Sequence, residues 1–161
     1  FSKVINVFKK YECNIIMGNI LYVNNKNKIV RNWKININEN KIISQNEIFN
    51  FLKMGWMPPH PGFFIHRDIF YNKIFFNKSY NISFDYDFMI KSLVSKNSKP
   101  VYLNYTISRM LIGGNSNKLT NIIQKMREDL KIIYENDIGN FFTLIFKNLR
   151  KLPQFINFKN S

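Results

Sequence analysis

Cysteine is nearly absent from this chain of 161 residues: Cys13 stands alone. No disulfide can form within the chain, which fits a reducing compartment. Cys13 itself, after Tyr11-Glu12, reads as a small half-buried side chain rather than a nucleophile. Histidine is also scarce, with two residues, and no Cys/His cluster has zinc-ligand spacing. No apolar run is long enough to span a bilayer, and no signal peptide is recognisable. Walker, Rossmann and RNP1 patterns, internal repeats and low-complexity linkers are all lacking. Acidic residues number only 10 against 24 basic ones, a net charge of +14. Proline is sparse as well, and three of its five copies fall within Pro58–Pro61.

What is present is a core-forming composition, 45% apolar and 16% aromatic, which excludes a disordered tail. Lys, Asn, Ile and Phe dominate, as in an AT-rich coding sequence. The lysines are scattered except near the end, at Lys147, Arg150 and Lys151, so most of the charge reads as a solvated surface. The chain starts at Phe1 inside a helix-like stretch, FSKVINVFKKY, with Val4, Val7 and Phe8 at helical spacing. The expectation is therefore a fragment whose N-terminal half is missing.

CNIIMGNILYV reads as a strand, NNKNK as a turn and IVRNWKI as the second strand of a hairpin. Ser44 and Glu47 form a capping-box pattern opening a helix through Ile48, Phe49 and Leu52, which Gly55 can close. A stiff Pro-rich loop follows, then GFFIH as a short strand, a short helix over Arg67–Tyr71, and a loop from Phe75 to Ser83. A helix from Asp85 fades by Asn97-Ser98. VYLNYTISRM (Val101–Met110) is a strand broken by Gly113-Gly114. Asn117–Glu135 is expected as a helix with Ile122, Met126, Leu130 and Ile133 on one face, and Gly139–Lys151 as a last amphipathic helix. Phe63, Phe64, Phe70, Phe75 and Phe76 are expected in the core.

The chemistry-bearing candidates are few. Asp85 and Asp87 lie two apart in FDYDFMIK at the expected start of a helix, where free N–H groups and the macrodipole favour an anion. Residues two apart do not share a helix face, so one should point into a cleft while the other bonds locally, as a cap or to a basic partner. Together they offer a cation two ligands without an evident third. His60, between prolines, either orients a sugar hydroxyl or phosphate or is bonded to backbone carbonyls; His66 reads as structural. Gly113-Gly114-Asn115-Ser116 is either a phosphate cradle or a turn before a helix.

Three segments in fixed order, MPPHPGFFIHRDIF, IFFNKSYNISFDYDFMIK and SRMLIGGNSN, resemble the acceptor-side half of family 2 glycosyltransferases of the colanic-acid, surface-polysaccharide type. The closing KNLRKLPQFI is similar to the basic helix that ends these proteins. The resemblance runs from Asn14 onward. It implies an α/β, partial GT-A fold with a mixed sheet, residues 1–116 being the acceptor-side part of the catalytic domain and 117–161 a C-terminal amphipathic helical region. It implies a nucleotide-sugar donor and a glycan or lipid-linked acceptor, with inversion at the transferred sugar. Asp85 matches the general base. Arg109, Gly113 and Gly114 match the segment near the donor diphosphate or acceptor mouth, His60 matches the loop lining the acceptor side, and Asp87, the second acidic position, joins them as substrate-binding. The family's donor half, with the Asp-x-Asp motif that holds Mg or Mn, has no counterpart among these residues. The divalent cation therefore belongs to the intact enzyme, and this piece alone is expected to be inactive. The implied location is cytoplasmic, with peripheral contact at the inner face of the bacterial membrane. Two other readings stand beside it: a basic module for nucleic acid or anionic membrane, with the former disfavoured as a partner, and an inactive transferase remnant. The basic module rests on the last helix, with Lys147, Arg150 and Lys151 beside Phe142, Leu144, Ile145 and Phe146.

Overall fold

A run of apolar residues without strict alternation is what a strand covered on both faces requires. IIMGNILYV provides it. In a computed structural model, which describes residues 2–35, 37, 41–112 and 119–150, this run is β1 (Ile15–Val23), the centre of a four-stranded mixed sheet. On one edge β1 pairs antiparallel with β3 (Phe63–Ile65) along Ile15–Met17 and with β2 (Ile29–Trp33) along Ile20–Val23. On the other edge it runs parallel to β4 (Pro100–Leu111). The protein is thus mixed α/β. Ile15, Ile16, Met17 and Ile20 are all fully buried, and each such side chain contributes about 1.5–3 kcal/mol.

The two faces carry separate apolar clusters. α1 (Ser2–Tyr11) covers one, placing Val4 against Cys13, Ile16 and Val101. The other is covered by α2 (Gln45–Lys53), α3 (Phe84–Val94), α4 (Leu119–Glu135) and α5 (Phe141–Leu149), whose buried residues Ile48, Leu93, Ile132 and Leu144 join Ile15 and Met17 in the larger core. The segments on either side of residue 117 therefore share one cluster. Cys13 is buried, and burial pushes its thiol pKa up.

The β1–β4 ladder slips after Gly18: Gly18 faces Leu103, Asn19 faces Thr106 and Ile20 faces Ser108. Extra residues on β4 leave backbone groups that the ladder no longer pairs. At the slip the buried Asn19 side chain donates to Asn104 Oδ1 (3.2 Å) and accepts from Ile35 N–H (2.9 Å) and the Tyr102 hydroxyl (3.0 Å).

Two amphipathic expectations are corrected. On α4, Ile122 and Met126 are exposed, and the inward side instead presents Asp129, Ile132 and Ile133. On α5, Leu144 and Lys147 point inward rather than lying on an outer face with Phe142, Ile145 and Phe146. An acidic residue on α4 draws the lysine in. Phe70, Phe75 and Phe76 are also exposed instead of core, because they pack on Phe88 of α3 and on one another rather than joining the larger cluster. Among the described residues no helix is long and apolar enough to cross a membrane.

α2 opens with the capping box of Ser44 and Glu47 and closes at Gly55 in the left-handed region (φ +70). A Cβ there would meet the α5 backbone, at Thr143 O (2.7 Å), Phe146 C (2.8 Å) and Lys147 N. Gly55→Ala should therefore cost roughly 2–5 kcal/mol, from the left-handed penalty plus overpacking. Gly18→Ala should cost less, because its added Cβ meets chiefly the flexible end of Ile107. Urea unfolding of both variants checks the order.

Candidate functional site

Pro58 and Pro59 are buried and fix the backbone, so the next residue, His60, projects from a stiff loop. A one-turn 3-10 helix, His60–Gly62, ends against β1, where a Cβ on Gly62 would strike the Gly18 carbonyl oxygen. Across from it stands the first turn of α3. Asp85 Oδ1 accepts the Tyr86 N–H (2.7 Å), which leaves Oδ2 aimed at His60 Nδ1, 3.7 Å away. That separation exceeds a hydrogen bond and suits two groups that close on something between or beside them. The Asp85 side chain is 30% exposed and that of His60 51%.

Asp87 follows the other course. It is fully buried, and Lys91 Nζ contacts its Oδ2 at 2.7 Å. The structure brings His60 and Asp85 together and leaves Asp87 out of the opening. Arg109 is exposed on β4 opposite Leu21, three residues along β1 from Gly18, about 10 Å of strand. Gly113 and Gly114 lie outside the described residues. His66 caps a 3-10 helix (Arg67–Asn72) and sits 3.1 Å from Asp68.

Beside Asp85 lies an aromatic shelf. Phe88, buried one turn on, is the hub: Phe76 stacks on it with centroids 4.3 Å apart, and Phe70 at 6.1 Å. Phe84 meets Phe76 edge-on at 5.9 Å, and Phe75 stacks on Phe70 at 5.9 Å. Phe70, Phe75, Phe76 and Phe84 are all exposed. Flat exposed apolar rings suit a ligand with C–H faces.

The start of α3 is held by residues that pattern reading missed. Glu128 on α4 accepts the backbone N–H groups of Asn81 (3.1 Å), Ile82 (3.0 Å) and Ser83 (2.8 Å). Asp129 accepts the Ser83 hydroxyl at 2.7 Å and pairs with Lys147 Nζ (2.8 Å) and Lys125 Nζ (3.3 Å). Lys147 Nζ also sits 3.1 Å from the Tyr86 ring centroid. Adjacent acids in so basic a chain were the available signal. Burial would raise the Asp129 carboxyl, but Lys147 and Lys125, with hydrogen bonds from Lys147 and Ser83, outweigh it and hold it below its ordinary value. Burial raises Glu128 too, and the N–H groups of Ser83, Ile82 and Asn81 reverse this. The Ser44 N–H, Lys41 and the Ser44 hydroxyl bring Glu47 down to about 2. Burial and the nearby Asp129 push the Tyr86 phenol up, so it stays neutral.

Although Asp85 and Asp87 have Asp-x-Asp spacing, their carboxylates turn to His60 and to Lys91 and do not converge on a shared cation. Among the described residues no group of three or more His, Cys, Asp or Glu could hold a metal ion.

The depressed carboxylates set the acid behaviour. Their folded pKa values lie below the unfolded ones of 3.8 and 4.5. Their stabilisation is complete above those values and is lost as pH falls through the folded pKa. The urea midpoint should therefore drop between about pH 5 and about pH 2. Asp129→Asn should cost about 3–5 kcal/mol at neutral pH by leaving Lys147 buried beside a neutral group, and should flatten that acid decline. Urea titrations across pH for both proteins test this.

Against known proteins, no protein-family model, no curated protein and no solved structure matches the chain.

Proposed function

We propose that this chain is the acceptor-side part of an inverting family 2 glycosyltransferase with a GT-A catalytic domain. The observation that carries the reading is the meeting of His60 and Asp85, 25 positions apart in sequence, at a half-open site. The order of the three resembling segments adds to it.

In this reading an acceptor hydroxyl lies against Asp85 Oδ2. The Tyr86 N–H on Oδ1 fixes the carboxylate. As the hydroxyl oxygen bonds to the anomeric carbon, its proton passes to Asp85. The bond from that carbon to the diphosphate oxygen breaks on the opposite face, and the nucleoside diphosphate leaves with the electron pair, so configuration inverts. His60 accepts or donates a hydrogen bond to the acceptor and places it. Asp87 acts indirectly, anchoring the first turn of α3 through Lys91. Arg109, with Gly113 and Gly114, serves the donor diphosphate or the acceptor mouth. The donor nucleotide and the divalent cation belong to the donor half of the intact enzyme, and this chain alone does not turn over. The acceptor is a glycan or a lipid-linked sugar, and the protein works in the cytoplasm.

General-base assistance is worth about 10²–10⁴-fold. Asp85→Asn in the intact enzyme should lower the transfer rate by that factor and leave the urea midpoint unchanged, since an Asn oxygen can still accept the Tyr86 N–H. Asp87→Asn should act mainly on stability. Near-normal transfer by Asp85→Asn removes Asp85 as the base, and sugar transfer by the isolated chain removes the division into halves.

A further inference from the structure

α5 is an amphipathic helix packed the wrong way round for a surface helix. Its outward residues are Phe141, Phe142, Ile145, Phe146 and Leu149, all apolar, with Phe142 64% exposed. Its inward residues include Thr143 and Lys147, both buried. An ordinary surface helix would show the polar side to water. Three contacts fix the rotation. Lys147 pairs with Asp129, the Thr143 hydroxyl donates to the Lys53 carbonyl (2.9 Å), and the Gly55 backbone fits against Thr143, Phe146 and Lys147. The stripe cannot turn inward without breaking them. Exposed Met54, whose carbonyl accepts from Arg150 Nε (2.8 Å), continues it at the far end.

The charge around the stripe identifies what covers it. Residues 141–161 contain no acidic residue, and Arg150, which follows α5, is exposed. Lys53 is exposed on the flanking helix. The whole chain carries +14. A second copy would bring the same positive charge to the interface, so self-association along this stripe is opposed. An anionic lipid surface offers hydrocarbon for the rings and phosphate for the cations.

From this geometry we infer that α5 docks the protein on an anionic membrane surface, lying in the interface plane with Phe141, Phe142, Ile145, Phe146 and Leu149 in the lipid. This attachment does not depend on the sugar-transfer reading. Tyr86, next to Asp85, rests on Lys147 of α5, so the helix that meets the lipid also carries the helix bearing the candidate site.

The test is flotation of the full chain with vesicles of phosphatidylcholine alone and of phosphatidylcholine with phosphatidylglycerol. Binding is expected to the anionic vesicles, to be weaker on the neutral ones, and to fall as salt is raised. Phe142→Ser combined with Phe146→Ser should reduce the partition constant by about tenfold or more, with an unchanged urea midpoint because both rings are exposed. The lipid and salt dependences of the unmodified chain test the idea even if the double variant folds poorly. No binding to anionic vesicles, equal binding to neutral ones, binding unaffected by the double substitution, or a dimer in sedimentation that this substitution dissolves would each overturn the inference.

Discussion

The ion pair between Asp129 and Lys147 fixes the positions of three helices. Both groups are nearly excluded from water, where separating them from solvent costs several kcal/mol per ion unless each is well surrounded. They are: Asp129 also receives the Ser83 hydroxyl and Lys125, and the Lys147 ammonium lies over the Tyr86 ring. One cluster thus joins α4, α5 and the entry to α3. Such a cluster stabilises little against an apolar substitute, but it admits few arrangements. α5 can be rotated only so that Lys147 points in, and the chain can enter α3 only where Ser83 reaches Asp129.

The distribution of acidic residues follows from their scarcity. Glu47 closes a capping box and is held by Lys41, Glu128 gathers three backbone N–H groups, Glu135 binds the Tyr80 hydroxyl at 2.6 Å, and Asp87 is neutralised by Lys91. Each is committed to holding the backbone or a neighbouring side chain in place. Asp85 differs. It is half-open, and the side chain it faces is a histidine at a distance too long for a direct hydrogen bond. Among the described carboxylates Asp85 shares a histidine neighbour in place of a lysine with Asp68, and it is the less exposed of the two.

Local signals in the sequence carried most of the elements. The Ser44–Glu47 box, the Gly55 stop, the unbroken apolar run of β1 and the Asn-rich turn after it each act over a few residues, and each has its expected counterpart in the structure. Residues two apart on a helix cannot share a face, and Asp85 and Asp87 accordingly turn to different partners. Side choice on the last two helices was not legible in the same way. Periodicity finds an apolar stripe but does not say whether it faces in or out, and α5 was decided by a residue on another helix, Asp129. Nor could spacing reveal that Phe70, Phe75 and Phe76 gather on Phe88 at the surface, since that depends on which side of α3 the intervening loop passes.

The inversion of α5 and the exposure of Asp85 have a common origin. If Lys147 were apolar, the helix could turn its phenylalanines into the core, and Tyr86 would lose the cation beneath its ring. α3 would then be tied at its start only through Glu128 and Ser83, and the direction of Asp85 relative to His60, already at the edge of contact, would be less well set. Keeping Lys147 inside costs exposed aromatic surface on α5, which a monomer in water gains nothing from. The same lysine that ties α5 to the entry of α3 thus leaves the apolar face of α5 outward.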